Sequence, residues 1–246
     1  MRTLGLIGYP LSHSFSKKYF TEKFDREGIK GFNYSLFPIE TIDGLKPLLD
    51  ATPDLAGLNV TIPYKEQVIP FLDESSAVVA AIGACNCIRI VDGRLIGYNT
   101  DVIGFAKTLE PKLAPHHQYA LVLGTGGAAK AVHHVLRQKG IGFLEVSRTP
   151  KDGGVTYESL DQSIMEKHTL IINTTPLGMY PKTEEAPPIP YNMIGPSHYL
   201  YDLVYNPAKT KFLAIGEERG ATIENGADML VIQAEASWDI WTSANG

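Results

Sequence analysis

Short apolar runs alternate with stretches of helical periodicity along almost the whole chain. That alternation predicts an α/β fold, because parallel strands need a helical crossover to return. In the first half the predicted strands are Leu4 to Gly8, Asn33 to Phe37 and Gly57 to Val60, with helices near Ser14 to Glu27 and Thr41 to Asp50. Asn86 to Val91 and Leu95 to Tyr98 flank Asp92-Gly93, a dipeptide that tolerates the positive φ of a tight hairpin turn. A further helix starts at Asp101. Glu110 to Gln118 has two prolines and little apolar content, so it reads as a connection between domains. From Tyr119 a second series begins: strand Tyr119 to Gly124, helix Ala128 to Gln138, and strands Phe143 to Ser147, Leu170 to Asn173 and Tyr199 to Val204. A helix from Ala227 closes the chain, and periodicity alone does not decide which domain it packs on.

Composition narrows the class of partner. The chain has 246 residues, 44% of them hydrophobic and 20% charged, which suits a folded protein of one large or two small domains. Lys plus Arg is 22 against 27 Asp plus Glu, a net charge of −5, so neither nucleic acid nor an anionic membrane is an expected partner. No run approaches 18 apolar residues, and the N-terminus has no long apolar segment with a cleavage site. Cys85 and Cys87 lie too close to build a disulfide framework, and a reducing, cytoplasmic setting is expected.

Tyr119 to Leu123 runs directly into Gly124-Thr125-Gly126-Gly127-Ala128-Ala129, a strand followed by G-x-G-x-x-A and a helix. Gly124 suits the tight turn, Gly126 lets a pyrophosphate approach the backbone, and Ala129 lets helix and strand pack closely. The pattern points to a dinucleotide site. At the end of the next strand, where NAD-binding proteins carry an acid, this chain has Ser147-Arg148-Thr149 and then Lys151. A guanidinium suits a 2′-phosphate and a carboxylate would repel it, so NADP is expected over NAD. Glu145, inside the strand, is not expected to reach the ribose.

Four polar segments in the first half are the candidates for chemistry. Asn59-Val60-Thr61-Ile62-Pro63-Tyr64-Lys65 leaves a strand, and Pro63 predicts a helix start. Lys65 would then sit in a first helical turn, where the macrodipole lowers an ammonium pKa. Asp101 follows Tyr98-Asn99-Thr100 at another helix start, which keeps a carboxylate ionised. Period two puts Cys85 and Cys87 on one strand face and Asn86 on the other. The cysteines read as small buried residues, since His116, His117, His133 and His134 complete no ligand spacing with them, and no metal is expected. Ser14 and Ser16, at a helix entrance, could hold a small carboxylate. No Ser-His-Asp constellation or G-x-S-x-G elbow appears.

In chain order, Ser14-Phe15-Ser16, the Asn59 to Lys65 segment, Gly83-Ala84-Cys85-Asn86, Gly97 to Asp101, the glycine loop, Asn173 to Met179, Tyr201 to Pro207, and Gly226-Ala227-Asp228-Met229-Leu230 with Gln233 resemble the shikimate dehydrogenase family over nearly the whole chain. The resemblance implies reversible NADPH-dependent reduction of 3-dehydroshikimate to shikimate, in the chorismate route to aromatic amino acids. It implies Lys65 and Asp101 as the catalytic pair. Ser14, Ser16 and Tyr205 would bind the substrate carboxylate, and Thr61, Lys65, Asn86, Asp101 and Gln233 the rest of the substrate. Gly124, Thr125, Gly126, Gly127, Ala128, Ser147, Arg148, Thr149, Lys151, Thr174, Thr175, Leu203, Gly226 and Met229 would line the cofactor site. It further implies two α/β domains with a cleft between: residues 1–101, rejoined by 227–246, for the substrate, and 102–226 as a Rossmann-like NADP domain. Homodimer formation is left open. The chain departs from the family pattern at Ser147, commonly Asn, at Cys85 and Cys87, where Gly-Ala-Val-Asn-Thr is common, and at Trp238, commonly Phe.

The mechanism this implies has Lys65 supply a proton to the C3 carbonyl as hydride arrives, with Asp101 orienting it. The alternatives are a quinate/shikimate dehydrogenase with relaxed substrate or NAD use, a methylene-tetrahydrofolate dehydrogenase, which the polar segments fit poorly, and a non-catalytic NADP-binding regulator, against which Lys65 and Asp101 both count.

Overall fold

The computed structural model describes residues 1–11, 15–149 and 153–243. The chain forms two compact units: Met1–Thr100 with Gln233–Gly246, and Asp101–Ile232. It crosses from the first to the second between Thr100 and Asp101.

The first unit is built on β1 (Arg2–Gly8), α1 (Phe15–Glu27), β2 (Phe32–Pro38), α2 (Leu45–Ala51), β3 (Leu55–Val60), β4 (Glu74–Ser75), α3 (Ala77–Ile82), β5 (Cys87–Val91) and β6 (Arg94–Tyr98). Its sheet runs β2-β1-β3-β5-β6-β4. β1 pairs in parallel with β2 and β3, but β5 is antiparallel to both β3 and β6, so the sheet is mixed. The antiparallel part follows from the hairpin turn, where Asp92 and Gly93 both take positive φ, 52° and 77°. Alternation along the strands sends Leu4, Leu6, Ala56 and Cys87 to a core that includes Phe20, Phe24, Tyr34 and Trp241. Ile7, Leu58, Val60 and Ile88 go to a second core with Leu45, Tyr64, Val68 and Val79.

Two expectations fail here. Cys85 and Cys87 do not share a face: Cys85 packs in the second core and Cys87 in the first. β5 starts only at Cys87, so the two-residue period does not reach back to Cys85. Neither is in a disulfide, and both are fully buried. Nor does a helix follow Pro63. Residues 62–68 run through successive turns into a short 3-10 helix, Ile69–Phe71, and the Ile62–Pro63 bond is cis. With no aligned helix behind Lys65, the macrodipole argument for its ammonium does not apply.

The second unit contains α4 (Asp101–Leu109), β7 (Tyr119–Leu123), α5 (Gly127–Gln138), β8 (Gly142–Val146), α6 (Gln162–Lys167), β9 (Leu170–Asn173), β10 (Tyr199–Asp202), α7 (Lys211–Glu218) and β11 (Thr222–Glu224). Glu110 to Gln118 lies wholly inside it, so that segment does not link the two units. The five strands, ordered β11-β10-β9-β7-β8, are all parallel. Leu121, Leu123, Ile171 and Leu200 pack with Met165, Phe212 and Leu213 of α6 and α7. On β10, Tyr201 turns to α4, with its ring edge-on to Phe105 and its hydroxyl 2.6 Å from Thr108 Oγ1. Order reverses between β7 and β9, which makes the carboxyl ends of those strands the switch point where ligands bind in open α/β sheets. Beyond β8 the chain returns as a single parallel bridge, Val146 to Val155. α8 (Ala227–Thr242) closes the chain, with 227–232 in the second unit and its remainder in the first. No helix among the described residues is long and apolar enough to cross a membrane.

Candidate active site

In the first unit a buried set of polar side chains joins strands far apart in sequence. Asn86, just before β5, accepts the Thr100 N–H on Oδ1 at 2.6 Å and donates from Nδ2 to Thr100 Oγ1 at 3.0 Å. Gln233 Oε1 accepts from Asn86 Nδ2 at 3.5 Å and from Thr100 Oγ1 at 3.3 Å. Asn59, on β3, accepts the Tyr34 hydroxyl at 2.8 Å and donates to the Asn86 carbonyl at 3.3 Å. Burial pushes the pKa of the same Tyr34 phenol well up, against the opposing pull of the Ser16 side chain in the first turn of α1. Tyr34, Asn59, Asn86, Thr100 and Gln233 are therefore linked in one network.

Lys65 enters the same region through its backbone. Its carbonyl accepts the Cys85 N–H at 2.7 Å, next to Asn86, while the Asn99 amide donates to the Ala84 carbonyl at 3.0 Å. Thr61 is tied to β1: its N–H donates to the Ile7 carbonyl at 3.0 Å, and a Cβ on Gly8 would fall 2.4 Å from Thr61 Cγ2. Asp101 is buried as the first residue of α4, covalently next to Thr100. Lys65 belongs to the first unit and Asp101 to the second. Ser14 lies outside the described residues.

The second unit gathers the cofactor candidates at the carboxyl ends of its strands. Gly124 ends β7 with φ +111°, and a Cβ there would sit 2.6 Å from Thr174 Oγ1, so the turn and the close approach both require glycine. Thr174 Oγ1 donates to the Leu123 carbonyl at 2.7 Å, and Thr175 Oγ1 to Asn173 Oδ1 at 2.6 Å. Gly126 caps α5, and a Cβ built on it meets nothing within 4 Å, which leaves open space before the first N–H groups of the helix, at Gly127 and Ala128, while the Ala129 N–H donates to the Gly126 carbonyl at 2.9 Å. Thr125 is exposed beside it. Gly226 packs so tightly on Leu203 that a Cβ would lie 2.2 Å from the Leu203 carbonyl oxygen, and Met229 follows, buried, in α8. Tyr205 is half-buried, and burial raises its phenol pKa.

Behind these loops Asp202 is fully buried and holds three donors: Asn173 Nδ2 at 2.9 Å, the Val204 N–H at 3.0 Å and Thr210 Oγ1 at 2.6 Å. Burial raises its pKa to about 6 against the opposing pull of those donors. At the end of β8, Arg148 and Thr149 are exposed, and Ser147 Oγ is buried with no partner among the described residues. Lys151 lies outside the described residues. Glu145 Oε2 sits 3.7 Å from His133 Nε2, but burial and then Arg137 push that imidazole down to about 4, so at neutral pH the contact is not an ion pair.

Residues 6–88 match the family model described as the shikimate dehydrogenase substrate binding domain. A shikimate dehydrogenase (NADP(+)) of Clostridium beijerinckii is 39% identical over 98% of this chain and 92% of its own length. The chain belongs to the shikimate dehydrogenase family. The solved shikimate 5-dehydrogenase of Thermus thermophilus, in complex with NADP(H) and shikimate, superposes with a TM-score of 0.87 at 29% identity, covering 98% of this chain and 94% of that one. A quinate dehydrogenase from Corynebacterium glutamicum in complex with NAD gives 0.86 at 26% identity, covering 98% and 93%. Within this shikimate dehydrogenase fold the sequence motifs singled out Asn86 and Gln233 but assigned no role to Tyr34, Asn59, Thr100 or Ser237. Asn59 and Thr100 lay inside quoted motifs, whereas Tyr34 and Ser237 stood in runs whose only signal is periodicity.

Proposed function

We infer that this chain is an NADP-dependent shikimate dehydrogenase that reduces 3-dehydroshikimate reversibly to shikimate. The observation that carries the reading is the buried Asn86, Thr100 and Gln233 network in the unit matched by the substrate-binding model. Its longer contacts, 3.3 to 3.5 Å, are the ones a substrate hydroxyl would exchange with. Thr61 adds a further hydroxyl, and Ser14, Ser16 and Tyr205 would take the carboxylate. Residues 1–101 with 227–246 then form the substrate domain and 102–226 the cofactor domain.

The open space at Gly126 and the α5 N-terminus fit a pyrophosphate, and exposed Arg148 with the unpartnered Ser147 hydroxyl fits a 2′-phosphorylated ribose. NADPH bound there supplies the hydride. Lys65 delivers the proton to the carbonyl oxygen as the carbonyl carbon is reduced, and takes it back in the reverse direction. Asp101 orients the Lys65 ammonium and accepts from a ring hydroxyl. The buried thiols Cys85 and Cys87, neither in a disulfide, suit a reducing, cytoplasmic setting.

The likeness to an NAD-bound quinate dehydrogenase favours a second reading, oxidation of quinate with NAD. Absorbance at 340 nm with shikimate and NADP, then with quinate and NAD, separates the two. Turnover only with the second pair would overturn the first reading, and turnover with neither would leave a binding protein.

A further inference from the structure

Ser237 is fully buried one helical turn after Gln233, and its hydroxyl joins Asn59, Thr100 and the Gln233 backbone in the first unit's polar network. Its Oγ accepts from Asn59 Nδ2 at 3.0 Å, lies 3.3 Å from Thr100 Oγ1, and donates to the Gln233 carbonyl at 2.9 Å. Burial pushes the pKa of the Cys87 thiol well up, so that group stays a neutral thiol. A hydroxyl has one proton. With that proton on the Gln233 carbonyl, Ser237 meets Asn59 and Thr100 as an acceptor. This fixes the Asn59 amide with its NH2 towards Ser237 and its oxygen towards Tyr34. It also makes Ser237 Oγ one of three acceptors within reach of the Thr100 proton, beside Gln233 Oε1 and Asn86 Oδ1, each at 3.3 Å.

Resting on the shikimate dehydrogenase reading, we propose that Ser237 is a positioning residue of the substrate site: its hydroxyl orders the protons of Asn59 and Thr100, and so sets the donor and acceptor ends that Asn86 and Gln233 present to the substrate hydroxyls. Removing the Ser237 hydroxyl leaves Asn59 Nδ2 with the 3.3 Å contact to the Asn86 carbonyl and gives Thr100 one acceptor fewer. Substrate selection by buried polar groups depends on such pairing being complete.

The test is steady-state kinetics on the full chain with shikimate and NADP, with Tm measured alongside. Ser237→Ala is expected to raise KM for shikimate about tenfold, with kcat and KM for NADP changing less than threefold. Ser237→Cys, of similar volume and with a weaker acceptor, is expected to fall between Ser237→Ala and the parent. Thr242→Ala is the control for the helix itself, since Thr242 Oγ1 makes the same bond four residues back, to the Trp238 carbonyl at 2.8 Å, from the exposed face. It should leave KM unchanged. A lower Tm in Ser237→Ala with an unmoved KM for shikimate would make Ser237 structural only and overturn the proposal. Equal shifts of KM for shikimate and for NADP would overturn it too. A parent protein without turnover on shikimate would instead refute the functional reading on which the proposal stands.

Discussion

In the first unit the polar groups gathered at the sheet are side chains held by other side chains, while in the second they are mainly main-chain groups exposed by glycines at strand ends. Asn86, Thr100 and Gln233, all buried, hold one another through Asn86 Nδ2, Thr100 Oγ1 and Gln233 Oε1. Around Gly124, Gly126 and Gly226 the same job is done by leaving side chains out. The difference suits the proposed ligands. A small ring with several hydroxyls is told from its relatives by complementary donors and acceptors, which only side chains can vary. A long phosphorylated cofactor needs close backbone approach and a helix end.

The largest expected effect tests the side-chain half. Lys65→Ala should lower kcat by about 10² to 10⁴, the usual scale for losing a general acid or base, with a smaller change in KM. An unchanged kcat would remove Lys65 from the chemical step. Acid stability probes buried groups of the second unit. Burial, then His116 and His198, push His117 down to about 4, and burial also holds His133 at about 4. Between pH 6.5 and 4 the unfolded chain binds protons these two rings refuse in the fold, so stability falls as pH falls. Asp202 acts in the opposite sense, because its pKa of about 6 means that the folded state takes up a proton first between about pH 6 and 3.8. The two histidines outweigh it, and urea unfolding should show a net loss on the order of 2 kcal/mol across that window. A flat profile would mean that the rings open to water. The smallest effect belongs to the backbone half. Gly126→Ala should raise KM for NADP about tenfold while leaving Tm unchanged, since its Cβ points into open space. A fall in Tm without a change in KM would place Gly126 in the folding of the turn instead.

Much of the second unit was legible because parallel strands write themselves as apolar runs: the strands predicted from Tyr119, Phe143, Leu170 and Tyr199 all form within a residue or two of their expected ends. The first unit was legible as a list of elements but less so as a site. The turns at 62–68 read as a helix because Pro63 resembles a helix start, and local signals do not reveal a cis bond. Cys85 was assigned a strand period it does not follow, since β5 begins two residues later. Short elements such as α3, α6, α7 and β11 carry too few turns or alternations to stand out. The Tyr34 and Ser237 links span separations that no local pattern encodes, 25 residues from Tyr34 to Asn59 and 178 from Asn59 to Ser237. They exist only once the sheet has brought its strands together.

The bridge at Val155 sets what can change beyond β8. Ser147 N–H donates to the Val155 carbonyl at 3.0 Å and Val155 N–H to the Glu145 carbonyl at 2.9 Å, a two-bond clasp on the edge of the sheet. The chain between its ends, which carries Arg148, is therefore a closed excursion whose length costs little entropy to alter. Lengthening or exchanging it would leave the strand in place, so the nucleotide preference proposed for Arg148 can be altered there while the scaffold stays as it is.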